Sequence, residues 1–138
     1  MALDVETLEE SFDLVAPKGD ELISTFYDRL FETAPAVKPL FEKVDMERQR
    51  QALLNMLVVL RESLRDLDDI VPDLEDLGAR HAGYGARPDH YPVVGQALIG
   101  AMSEVAGDAW KPEYTSAWEE AYGVVKDVML SGAAARVE

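Results

Sequence analysis

The chain has no cysteine and only two histidines, His81 and His90. Without thiols, disulfides, thiolate nucleophiles, zinc ribbons and cysteine-held clusters are excluded, and the absence suits a reducing cytoplasm. Positive charge is scarce as well: 13 Lys and Arg stand against 27 Asp and Glu, for a net charge of −14. A surface of that sign repels nucleic acid and anionic membranes, so neither is expected as a partner. No apolar run approaches the roughly 20 residues of a membrane span. The opening MALDVETLEESFDLVAP places no basic stretch before an apolar one, so no secretion signal is expected. The expectation is a cytoplasmic protein.

What is present is 138 residues, 48% of them hydrophobic, enough for one domain with a real core. The expected domain is residues 1–138, with a core over about 3–130 and a frayed tail at 131–138. Apolar residues recur at helical spacing almost throughout, and two-residue alternation is rare. Leu8, Phe12 and Val15 form one stripe, ended by Pro17. Asp20 is the expected cap of a second helix, with Leu22, Ile23, Phe26, Leu30 and Phe31 inward. Pro35 and Pro39 break the chain into the short piece PAVKPLF. A long helix is expected from about Met46 to Arg65, then a short one opened by Pro72 and carrying Leu74 and Leu77. GYGARP reads as a loop. Pro92 opens a helix with the stripe Tyr91, Val94, Leu98, Met102 and Val105, ended by Gly107, and a last helix runs from about Pro112 to Leu130. The fold class is all-α, with irregular pairwise packing instead of a simple four-helix bundle.

Three polar residues interrupt inward stripes. His81 follows Leu74 and Leu77 on their face. It is either a core histidine satisfied by a carbonyl or a ligand for a metal or haem iron. Tyr27 lies between Ile23 and Leu30, where a buried hydroxyl needs a partner: the backbone, or something in a pocket. Gln49 heads the row Leu53, Met56 and Leu60, and either reaches solvent from the first turn or points into the same slot. Together they suggest an apolar slot with an imidazole on one wall and two donors on another. No Ser-His-Asp arrangement, phosphate loop or pair of histidines at zinc spacing accompanies them. One histidine is too few for zinc but enough for haem, whose porphyrin supplies the equatorial nitrogens. His90, in PDHYP, reads as a loop-to-helix junction residue that could pack on the edge of a planar cofactor; its loop position makes it the weaker ligand candidate.

These residues stand in three ordered motifs. FYDRLFETAPAVKPLF, IVPDLEDLGARHAGYGARPDHYPVVGQALIGAM and AWEEAYGVV together resemble the bacterial single-domain haemoglobins and the globin domain of flavohaemoglobins, over roughly Leu3 to Leu130. The resemblance implies a globin fold of six to eight helices around a haem pocket, with haem b (iron protoporphyrin IX) as cofactor. It implies His81 as the proximal iron ligand, Phe41 packed on the haem face, Tyr27 and Gln49 as distal hydrogen-bond donors, and Leu53 as the apolar residue over the iron. Tyr91 falls at the proximal-side tyrosine, and His90 and Val94 join the haem contacts.

The implied function is high-affinity O2 binding at a five-coordinate iron, with NO, CO and sulfide as further ligands. The implied alternative is nitric oxide dioxygenation with a separate reductase, since no GxGxxG occurs in the chain. The flavohaemoglobins also carry a late glutamate that joins the proximal histidine and tyrosine; here that neighbourhood reads LSGAAA, which implies a weaker electron push from His81. A non-haem helical interaction domain is the remaining alternative. The expected assembly is a monomer or weak homodimer.

Overall fold

A computed structural model describes residues 4–83 and 86–135. The first three residues, Tyr84 and Gly85 of the expected GYGARP loop, and 136–138 of the expected tail lie outside the described residues. Six α-helices follow one another: α1 (Val5–Val15), α2 (Gly19–Thr33), α3 (Met46–Glu62), α4 (Val71–Gly83), α5 (His90–Ala106) and α6 (Pro112–Ala135). Short 3₁₀ helices at Ala16–Lys18, Pro35–Phe41, Leu67–Ile70 and Gly107–Ala109 join or extend them, and no strand occurs among the described residues.

Local chemistry sets most boundaries. The Asp4 side chain accepts from the Thr7 N–H and caps α1. Pro17 ends that helix within a 3₁₀ turn, and Asp45 caps α3 by accepting from the Glu47 and Arg48 N–H groups. Gly107 ends α5 with φ of 62°, backbone that favours glycine.

Three boundaries depart from the sequence expectation. Asp20 is not a cap: α2 begins at Gly19, and Asp20 sits in its first turn, where its charge faces the positive end of the helix dipole. Gly19 opens the helix close to α3, where a Cβ would come 3.0 Å from the Leu54 side chain. α3 stops at Glu62, short of Arg65, where the Ser63 N–H is shared among the preceding carbonyls; Leu64 is nevertheless buried. α6 continues past Leu130 to Ala135, held along α4.

The helices pack in unlike pairs. α2 lies on α5, α4 lies on α6, and α1 touches both α5 and α6. Leu8, Phe12, Leu22, Leu30 and Met102 are fully buried where these pairs meet. A buried Ser11 accompanies them: its hydroxyl donates to the Thr7 carbonyl at 2.8 Å and accepts from the Trp118 Nε1–H at 2.8 Å. That bond ties the first helix to the last through an otherwise apolar interior. Outside, Arg61 of α3 and Arg65 just beyond it reach Glu9 and Asp13 of α1, partly exposed pairs of small individual worth.

Candidate functional site

A cavity of about 220 Å³ lies between α2, the Pro35–Phe41 turn, α3, α4, α5 and α6. Among the described residues its wall contains no Asp, Glu, Lys or Arg side chain, although the protein carries 27 acidic residues. Every site residue expected from the sequence lines it: Tyr27 from α2, Phe41 from the 3₁₀ turn, Gln49 and Leu53 from α3, His81 from α4, and His90, Tyr91 and Val94 from α5. Residues spread over 68 positions of sequence (27 to 94) therefore share one apolar space.

Tyr27 is 2% exposed. Its ring is held edge-on by Phe26 at 4.8 Å and Phe41 at 5.9 Å between centroids, with Phe31 tilted against it at 5.8 Å. Burial pushes its pKa up, against a smaller opposing pull from a hydrogen bond with Gln49 and the charge of Arg50. The hydroxyl thus stays protonated and available as a donor, beside the Gln49 amide.

His81 is part-buried, and its Nδ1 lies 2.8 Å from the Leu77 carbonyl oxygen one turn back. A carbonyl can only accept, so Nδ1 carries the proton and Nε2 holds the lone pair. Burial holds the imidazole pKa below its ordinary value; the Leu77 bond opposes this and the Arg80 charge adds to it. Both readings left open by the sequence meet here: the carbonyl accepts from one nitrogen, and that bond sets the tautomer that gives the other its lone pair. His90 does something different. Its Nδ1 accepts from the Arg87 N–H at 3.0 Å, closing the turn into α5 as a junction residue should, while the ring still lines the cavity.

Two residues of the wall were not among the site residues expected from the sequence. Tyr122 lines the same cavity, donates its hydroxyl to the Tyr91 carbonyl at 2.6 Å, and lies on Gly95, where a Cβ would come 2.6 Å from its ring. Burial and the nearby Tyr91 push its pKa far up. Trp118 lines the wall one turn earlier. The spacing of Trp118, Tyr122 and Val125 is helical and could have shown all three on one face. Among the described residues no three His, Asp or Glu side chains cluster as a metal cage, so an iron site here rests on one imidazole plus a group bringing its own donors.

A family model for globins matches residues 24–129. The chain belongs to the globin family. This globin is 32% identical over 128 residues to the flavohemoprotein of Bacillus subtilis, with 91% of this chain and 32% of the relative aligned. It is 35% identical over 118 residues to that of Rhizobium meliloti, with 84% and 29% aligned. The chain thus spans about a third of the length of the curated relatives it matches. Among solved structures it resembles an engineered carbene transferase, a candidate nitric oxide dioxygenase from Rhodothermus marinus. The TM-score is 0.79 at 26% identity, covering 94% of this chain and 92% of that one. A bacterial globin from Campylobacter jejuni shares the fold, with a TM-score of 0.81 at 22% identity and coverage of 94% and 93%.

Globins bind haem, and the residues present fit that group. Among the described residues the wall is largely apolar and carries no Asp, Glu, Lys or Arg, its His81 imidazole has its tautomer set, and the Tyr27 hydroxyl and Gln49 amide offer donors. No helix among the described residues is long and apolar enough to cross a membrane.

Proposed function

We propose that this globin holds haem b through His81 Nε2 and binds O2 tightly on the face of the haem served by Tyr27 and Gln49. The observation that carries the reading is the hydrogen bond from His81 Nδ1–H to the Leu77 carbonyl, which presents an unprotonated Nε2 within an uncharged cavity. When bound, the haem supplies an iron with an open coordination position for diatomic ligands. Phe41, Leu53 and Val94 would help to keep water from it, and Tyr91 and His90, which line the same cavity, would add packing against it. The Tyr27 hydroxyl and the Gln49 amide stabilise negative charge on a ligand in a dry pocket, where such bonds are strong. Two donors favour slow release, which suits scavenging or O2-dependent chemistry better than bulk delivery. We place the protein in the cytoplasm as a monomer or weak homodimer, with NO, CO and sulfide as further ligands.

The test is the absorption spectrum: ferric, dithionite-reduced, then with CO or O2, alongside His81→Ala. A Soret band that shifts on reduction and on gas binding, and is weakened or altered by the substitution, supports the reading. No Soret band, even after incubation with hemin, defeats it.

A second reading, nitric oxide dioxygenation with a separate reductase, is supported by the flavohemoprotein relatives and the Rhodothermus marinus neighbour. Against vigorous turnover stands the Nδ1 hydrogen bond to the neutral Leu77 carbonyl, which gives the imidazole less anionic character than a carboxylate would. Nitrate formation from NO under a supplied reductant discriminates turnover from storage.

A further inference from the structure

We infer that Gly78 and Gly132 are positioning residues: their backbone contact sets how far α4 carries His81 into the haem cavity. The inference rests on the haem reading above.

α4 and α6 meet backbone to backbone. A Cβ on Gly78 would lie 1.9 Å from the Met129 carbonyl oxygen and 2.6 Å from its Cα. A Cβ on Gly132 would lie 2.1 Å from the Glu75 carbonyl oxygen and 2.5 Å from its Cα. The contact is reciprocal: each glycine faces the backbone of the residue one turn before the other glycine, so four residues close a clasp. Both glycines are buried. No side chain can swing aside, because the atoms in the way are main chain. Glycine within a helix is less stable than alanine there, so this approach is kept at a price in helix stability. Gly123, on the same α6, has open space around its Cβ and serves no such contact.

The clasp lies one turn from the ligand. Gly78 precedes His81 by three residues, and α6 supplies Val125 and Met129 to the same cavity wall. The spacing of the two helices therefore fixes where the imidazole stands relative to the opposite wall. The Nδ1 hydrogen bond goes to Leu77 of the same helix, so it travels with α4 and cannot correct its placement. Restoring ordinary contact at 3.4 Å around a methyl on Gly78 needs the backbones to part by about 1.5 Å at that point. Functional geometry tolerates roughly 0.5 Å.

The experiment uses haem-loaded protein with Gly78→Ala or Gly132→Ala, and Gly123→Ala as control. The readout is the ferrous iron–histidine stretching band in resonance Raman spectra, together with thermal unfolding. Each clasp variant is expected to move the band to lower frequency, and the control to leave it in place. In a His81→Gly background filled with free imidazole, the clasp substitution is expected to leave the iron–imidazole band unmoved, because the ligand is no longer tethered to α4. Clasp variants with a wild-type band overturn the inference, as does a shift that persists with untethered imidazole. If neither clasp variant folds, the wild-type protein carries the test. Amides from Leu77 to His81 must exchange with solvent as slowly as those of the buried stretch of α6, and exchange at the rate of the helix ends refutes the clasp. Failure of the haem reading is separable: it shows as a missing Soret band in the unmutated protein.

Discussion

Replacing Tyr27 by phenylalanine isolates one hydroxyl. The ring is 2% exposed, held edge-on by Phe26 and Phe41 and packed on Phe31, so phenylalanine keeps the packing and removes only the donor. A hydrogen bond to a neutral partner contributes about 0.5–1.5 kcal/mol net, and one to a charged partner about 1.5–3 kcal/mol. Charge on bound O2 lies between these cases, so about 1.4 kcal/mol is the floor, a tenfold faster release. Stopped-flow displacement of O2 by CO measures that rate. The association rate should change far less, because the donor acts on the ligand after it arrives. Tyr27 and Gln49 also interact with each other, so the double variant with Gln49→Leu should be non-additive. An unchanged release rate, with the spectrum intact, would mean that the Tyr27 hydroxyl does not reach the ligand.

Three further outcomes follow from single contacts. Ser11→Ala strands the buried Trp118 Nε1–H that now has its partner at 2.8 Å; an unfolding free energy lower by about 1–3 kcal/mol is expected in urea titrations. Tyr27, Tyr91 and Tyr122 all have pKa values raised above the ordinary 10.0. The folded state then holds protons that the unfolded chain releases, so this stability is complete below pH 10 and is lost as pH rises beyond it. Melting temperatures between pH 8 and 12 should fall above 10, less steeply in Tyr122→Phe. His90→Ala removes the acceptor for the Arg87 N–H, a helix-entry contact worth about 1 kcal/mol. It should lower the melting temperature slightly and leave the Soret band in place, whereas loss of the band would make His90 an iron ligand.

The helical periods, the proline breaks and the glycine at position 107 speak through neighbours a few residues away, so the sequence by itself determined the all-α class and most of the inward faces. It also singled out His81, Tyr27 and Gln49, because a polar side chain on an apolar stripe is visible in the spacing alone. Asp20 shows where local signals end. Its residue type suits a cap, yet the helix begins at Gly19, two residues before a helix capped by Asp20 would begin. Ser11 escaped notice because its partner Trp118 lies 107 positions away, and Tyr122 because its bond to Tyr91 spans 31. Only the tertiary structure could decide these, along with the meeting of Gly78 and Gly132 across two backbones. Such contacts depend on how closely whole helices approach, and that distance is set by all the side chains between them at once.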